Sequence, residues 1–236
     1  MPTVLVLAAA LAVIADTRVS SAAESGLGTL EGSVRLAGEG QVPSPTMVAN
    51  TTDPTVCGQL QTLDDLLVSN DNRGIQHAII TLTDVPKEKI PPLQPDQLVL
   101  DNRGCRFVPH VSVLTVGSTI KALNSDPVLH TVHLYGVVEA NLALPAQRSR
   151  VTTPIAQQGL LIVRCDVHGW MQAFIQVDDH PFHAVSDATG SFRIKEIPAG
   201  TYRLKSWHEQ LHEQKTIVRI EAGQTAWAEI VYPLNP

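Results

Sequence analysis

Residues 160–177 read Leu-Leu-Ile-Val-Arg-Cys-Asp-Val-His-Gly-Trp-Met-Gln-Ala-Phe-Ile-Gln-Val. An apolar run leads into this stretch and a second begins at Ala173. Cys165, His168 and Met171 therefore fall on a short turn between two expected strands, three residues apart from one another. A thiolate, an imidazole and a thioether so spaced are one soft anion, one borderline nitrogen and one weak donor, the mixture that copper favours. Such a site needs a second imidazole from elsewhere. Residues 124–136, Asn-Ser-Asp-Pro-Val-Leu-His-Thr-Val-His-Leu-Tyr-Gly, offer His130 and His133. Alternation along the following strand puts 131 and 133 on one face and leaves His130 at the strand mouth.

These two segments resemble the blue-copper proteins, the cupredoxins, and the Cys-x2-His-x2-Met spacing is similar to their amicyanin-like end. The resemblance implies one type 1 copper ion. Its ligands would be His130, Cys165 and a near-surface His168, with Met171 as the long axial contact. It also implies one-electron exchange with a redox protein partner, and no enzymatic turnover, since the ligand set leaves no open position. In that family an Asn commonly follows the first histidine and braces the cysteine loop; this chain has Thr131 there. A copper-binding or delivery module would use the same residues, whereas an extracellular binding module without redox turnover would hold carbohydrate or protein on the second sandwich, where nothing in 179–236 specifies such a ligand. A multicopper oxidase needs His-x-His pairs, and the sequence has none.

The remaining sequence reads as scaffold. With 236 residues the chain can build one large domain or two small ones. Its formal net charge of -6 and the lack of any basic block exclude a nucleic-acid footprint. Residues 29–36 alternate with period two, as do 191–197 and 201–207, and glycines and prolines punctuate the chain throughout. Four prolines in 86–95 preclude a helix there. Residues 139–154 read as a polar loop. An array of strands without an amphipathic helix indicates an all-β protein, a cupredoxin-like Greek-key β-sandwich followed by a second small β-sandwich.

The expected organisation has three parts. Residues 1–23 resemble a signal peptide, with an apolar run at 4–14 and small residues near Ala22 and Ala23 where a cut would fall. The mature chain would then be periplasmic or secreted, without a transmembrane span. Residues 24–178 form the copper domain with an N-terminal insertion. Residues 179–236 resemble a carboxypeptidase regulatory-like sandwich, and the order of the two resembles bacterial methylamine-utilisation-like secreted proteins. Export implies oxidising conditions, under which Cys57 and Cys105 are expected to pair; two buried thiols are the alternative. Of the other histidines, His110 reads as a structural hydrogen bonder. His180, His183, His208 and His212 carry no assigned role.

Overall fold

The structure is a computed structural model that describes residues 26–233. The expected leader, 1–23, lies outside the described residues. Among those described, no helix is long and apolar enough to cross a membrane.

The fold is all-β, a cupredoxin-like β-sandwich joined to a second sandwich. In the first, a five-stranded sheet runs in the order Ala140–Leu144, His130–Gly136, Gly159–Arg164, Gln172–Asp178, Val111–Thr115. A four-stranded sheet faces it, ordered Arg150–Pro154, Thr119–Asn124, Gln97–Asn102, Phe107–Val108. Alternating side chains from both sheets, among them Leu100, Ile120, Val132, Leu134, Val163 and Ile175, form one continuous core. Cys165 and Met171 belong to that core, so the turn bearing them is packed from below.

The second sandwich departs from the expected boundary at 178/179. Its three-stranded sheet is Ser191–Pro198, Leu27–Leu36, Thr225–Tyr232. Leu27–Leu36 pairs antiparallel with Ser191–Pro198 and parallel with Thr225–Tyr232. Ile79–Thr83 likewise sits between His183–Val185 and Gly200–His208 in a four-stranded sheet closed by His212–Ile220. The N-terminal strand and Ile79–Thr83 were expected in the copper domain, 24–178; they belong to the second sandwich. Leu30, Val34, Ile80 and Leu82 share its core with Phe182, Tyr202 and Leu204. Period two reports that a strand is half buried, not which sheet buries it.

A second correction concerns 139–154, read as loop. It holds two strands, Ala140–Leu144 and Arg150–Pro154, each at the edge of its sheet. Edge strands carry small and polar residues on the open side, so their apolar signal is weak.

The sandwiches meet on the outer face of the five-stranded sheet. Val111, Phe174, Leu160 and Ile162 pack there against Ile79, Val185 and Trp207. This contact covers the Gln172–Asp178 side of the sheet. The outward residues of His130–Gly136 and Ala140–Leu144 lie on the other half.

Within the second sandwich, the turn beside Leu27–Leu36 depends on two glycines. A Cβ at Gly74 would lie 1.9 Å from the Thr189 carbonyl oxygen, and Gly190 has φ +78° with no room toward the Val34 carbonyl oxygen. Val34 donates to the Gly190 carbonyl at 2.8 Å, and Ile75 donates to the Val34 carbonyl at 2.9 Å. Gly74→Ala is expected to wedge the turn off this ladder and cost about 1–3 kcal/mol. An unchanged urea midpoint in that variant would contradict the account.

Half-buried His77 and buried His208 line the seam. Burial, reinforced by the adjacent His110, lowers the pKa of His77 to about 4, and burial lowers that of His208 to about 4. Both rings are neutral in the folded protein, whereas in the unfolded chain they take protons near the ordinary 6.5. Between those values the unfolded state binds more protons, so this contribution is complete above pH 6.5 and is lost as pH falls toward 4. At pH 5 the loss amounts to about 2 kcal/mol per histidine. Urea unfolding at pH 7 and pH 5 measures it, and His208→Gln is expected to shrink the difference between the two. A difference unaltered by that variant would remove His208 from the account.

Candidate metal centre

The centre is assembled from the turn between Gly159–Arg164 and Gln172–Asp178 and from the first residue of His130–Gly136. The turn is closed on itself: Cys165 N–H donates to the Met171 carbonyl at 3.2 Å, and Met171 N–H to the His168 carbonyl at 2.9 Å. Cys165 is the free cysteine of the described residues and is buried. Its Sγ lies 3.9 Å from His130 Nδ1 and 3.8 Å from His168 Nδ1. A first-row metal bound by thiolate at about 2.3 Å and imidazole at about 2.0–2.1 Å, with about 120° between the bonds, separates sulfur from nitrogen by about 3.8 Å. The donor set thus fits an ion without rearrangement of the chain. Met171 is buried beside Cys165 in the same core.

The far nitrogen of each histidine is held by a carboxylate. His130 Nε2 donates to Asp126 Oδ2 at 3.0 Å, and His168 Nε2 to Asp53 Oδ2 at 3.1 Å. An ionised carboxylate only accepts, so each Nε2 carries the proton and each Nδ1 keeps its lone pair toward Cys165. Burial lowers the pKa of His130, against the Asp126 hydrogen bond, and the neighbouring His168 lowers it further. A neutral ring is the form that binds metal.

Thr131 performs the bracing expected of the residue after the first histidine. Its N–H donates to Cys165 Sγ at 3.4 Å, and its Oγ1 accepts from Asp166 N–H at 2.7 Å. One residue thereby orients the sulfur and fixes the chain just beyond it.

His133 faces away from the sulfur. Its Nδ1 lies 2.9 Å from Asp166 Oδ1 and 2.8 Å from the Tyr135 hydroxyl, and its ring stacks on Tyr135 at 4.0 Å.

The surface position expected for His168 is not observed: the residue is 0% exposed. The cause is the insertion. The ribbon Met47–Ala49 with Leu60–Thr62 and the single helical turn Pro54–Cys57 form a cap over the ring. The cap is fastened by a disulfide between Cys57 and Cys105. Cys57 Sγ lies 3.7 Å from His168 Nε2, and Asp53, with φ 50°, supplies the carboxylate. Trp170 sets its edge against His168 at 5.0 Å and donates from Nε1 to the Cys105 carbonyl at 3.0 Å. Asp126 joins the two sides, accepting from the N–H groups of Gly104 and Cys105 as well as from His130.

Asp126 and Asp53 were not foreseen. Asp126 had a local signal, its place four residues before His130. Asp53 had none, because 115 residues separate it from His168.

The remaining histidines lie elsewhere. His110 bonds the Gln172 carbonyl and the Glu209 carboxylate, and His183 bonds Asp178 at 2.9 Å. His208 and His212 face each other at a hairpin end, the first buried and the second exposed. Among the described residues, two groups of three donors lie within 4.8 Å: His130, Cys165 and His168, and Cys105, Asp126 and His130. The disulfide takes Cys105 out of the second.

The family model for polysaccharide lyase family 4, domain II, matches residues 150–228, a span that crosses both sandwiches. That description differs from the carboxypeptidase regulatory-like one suggested by the sequence. No curated protein matches the chain. Among solved structures, a copper-containing nitrite reductase from Thermus scotoductus SA-01 is 22% identical over 36% of this chain and 23% of its own, with a TM-score of 0.32. The chain thus spans about a quarter of that enzyme. Amicyanin from Paracoccus versutus is 17% identical over 42% of this chain and 96% of its own, with a TM-score of 0.29. A purple cupredoxin from Nitrosopumilus maritimus is 19% identical over 35% of this chain and 98% of its own, with a TM-score of 0.30.

Proposed function

We propose that His130, Cys165, His168 and Met171 hold one type 1 copper ion, and that the protein is a one-electron carrier for a redox protein partner outside the cytoplasm, periplasmic or secreted. The observation that carries this reading is a buried cysteine sulfur facing two imidazole nitrogens at 3.8 and 3.9 Å. Copper supplies the change between the +1 and +2 states.

The chain's own residues keep the donors from moving. Asp126 and Asp53 hold the imidazoles in one tautomer and one orientation, and Thr131 holds the sulfur. A donor shell anchored in this way pays little reorganisation when the charge at its centre changes. The cap excludes water from the His168 side, and Met171 is drawn against the core by its place between two closed backbone hydrogen bonds. Export agrees with the disulfide, which oxidising compartments maintain. A delivery module must release its metal, and a cap fastened by a disulfide opposes release, so the carrier reading is preferred.

Copper loading tests it. One ion per chain with an intense thiolate-to-copper band in visible light is the expected result, and Met171→Leu is expected to keep the ion and raise its reduction potential. A colourless protein carrying a full complement of copper(II) would rule the reading out.

A further inference from the structure

His168 is sealed under the cap, and a half-cystine of the cap stands over its ring. We propose that Cys57 and Cys105, once reduced, form a second metal site that takes copper(I) from outside and passes it inward to Cys165, His130 and His168. This rests on the type 1 copper reading above.

The two imidazoles have sulfur on both sides. Their Nδ1 atoms face Cys165 Sγ at 3.9 and 3.8 Å. On the far side, Cys57 Sγ lies 3.7 Å from His168 Nε2. Cys105 Sγ lies within 4.8 Å of a His130 ring nitrogen and of an Asp126 carboxylate oxygen. The rings stand side by side with centroids 4.7 Å apart. The cap sulfurs and Cys165 therefore form two donor layers with a single layer of imidazole between them. Soft thiolates select copper(I). Two carboxylates add negative charge beside the cap sulfurs: Asp53 holds His168, and Asp126 accepts from the N–H groups of Gly104 and Cys105.

The segment that carries Cys57 is slight. It consists of two three-residue strands and one helical turn, and Val56 and Leu60 on it are exposed. Such a segment opens locally at small cost once its covalent tie is gone. Cys57 is 7% exposed and Cys105 0%, so an external dithiol attacks at Cys57. The S–S bond breaks and Cys105 leaves as thiolate. The second thiol of the reductant then resolves the mixed disulfide, and the reductant departs as its own disulfide. The cap has gained two electrons and two protons. Its sulfurs release those protons as they take copper(I). On transfer inward Cys165 gives up its proton and the cap sulfurs are protonated again; the ion stays copper(I) throughout. An external disulfide finally removes two electrons and two protons from the cap and reseals it.

Two measurements test this. The first removes the inner layer. Cys165→Ser, reduced with tris(carboxyethyl)phosphine and desalted without oxygen, is expected to hold one copper(I) against bathocuproine disulfonate. Its affinity is expected to exceed that of the same variant with the disulfide intact at least a hundredfold. Equal affinity would overturn the proposal. Adding Cys57→Ser to Cys165→Ser is expected to abolish the gain, and retention of it by Cys105 alone would also overturn the two-sulfur site. The second follows copper(I) uptake by native mass spectrometry. Reduced wild type is expected to load at least tenfold faster than the disulfide form. The double variant Cys57→Ser, Cys105→Ser has an open cap without thiols, and is expected to load several-fold more slowly than the reduced wild type. Equal rates in those two would make the sulfurs a mere fastener and overturn the site. A missing visible band after oxidation of the loaded wild type would instead defeat the type 1 reading, while the copper(I) affinity of Cys165→Ser still decides the cap site.

Discussion

Cys165→Ser is expected to abolish the visible band of the copper-loaded protein and to weaken copper binding by more than about 100-fold, beyond the loss caused by removing a supporting group. The band requires a soft, charge-donating sulfur, and a hydroxyl is neither soft nor ionised at neutral pH. Serine is nearly isosteric, so the fold is expected to persist, although Thr131 N–H loses its sulfur acceptor at 3.4 Å. Two further substitutions locate the equatorial histidine. His130→Ala removes the Nδ1 that lies 3.9 Å from the sulfur, and is expected to lose the band and most of the affinity. His133→Ala removes a ring bonded to Asp166 and Tyr135, and is expected to leave the spectrum nearly intact. Absorption and paramagnetic resonance spectra of the three variants decide the matter. An unchanged spectrum in Cys165→Ser would end the type 1 reading, and loss in His133→Ala with retention in His130→Ala would exchange the two histidines.

Loss of the disulfide has the second large expected effect. Cys57 and Cys105 are 48 residues apart in sequence, and a loop of that length constrains the unfolded chain by about 4 kcal/mol. The double variant Cys57→Ser, Cys105→Ser is therefore expected to unfold at clearly lower urea concentration. It is also expected to free the cap. His168 would then become reactive to diethyl pyrocarbonate in the copper-free protein, as it is not while Cys57 lies 3.7 Å from its Nε2. Thiol counting on the unfolded, unreduced wild type should find Cys165 alone. Three reactive thiols would contradict the bridge, and a double variant as stable as the parent would show that the bridge constrains little.

The candidate ligand loop was legible because its chemistry is local. Cys165, His168 and Met171 lie within seven residues, and a turn between two apolar runs brings them together whatever surrounds it. His130 was harder to separate from His133, since both belong to one short segment and only the facing of the strand divides them. The cap could not be read. Residues 44–65 carry no strong period, and their meaning depends on a cysteine partner in another loop and on a carboxylate 115 residues from the ring it holds. The same limit explains the misplaced domain boundary: Leu27–Leu36 has the pattern of a half-buried strand, and that pattern is equally satisfied by either sandwich.

The sequence by itself determined the all-β class and placed three candidate donors, Cys165, His168 and Met171, within seven residues, because both follow from residue type, alternation and short spacing. The tertiary structure alone decided that the first strand closes the second sandwich, that Asp53 and Asp126 orient the imidazoles, and that His168 is sealed while His133 and Asp166 face solvent. These depend on which distant segments meet, and contact between segments far apart in the chain is set by the packing of the whole core.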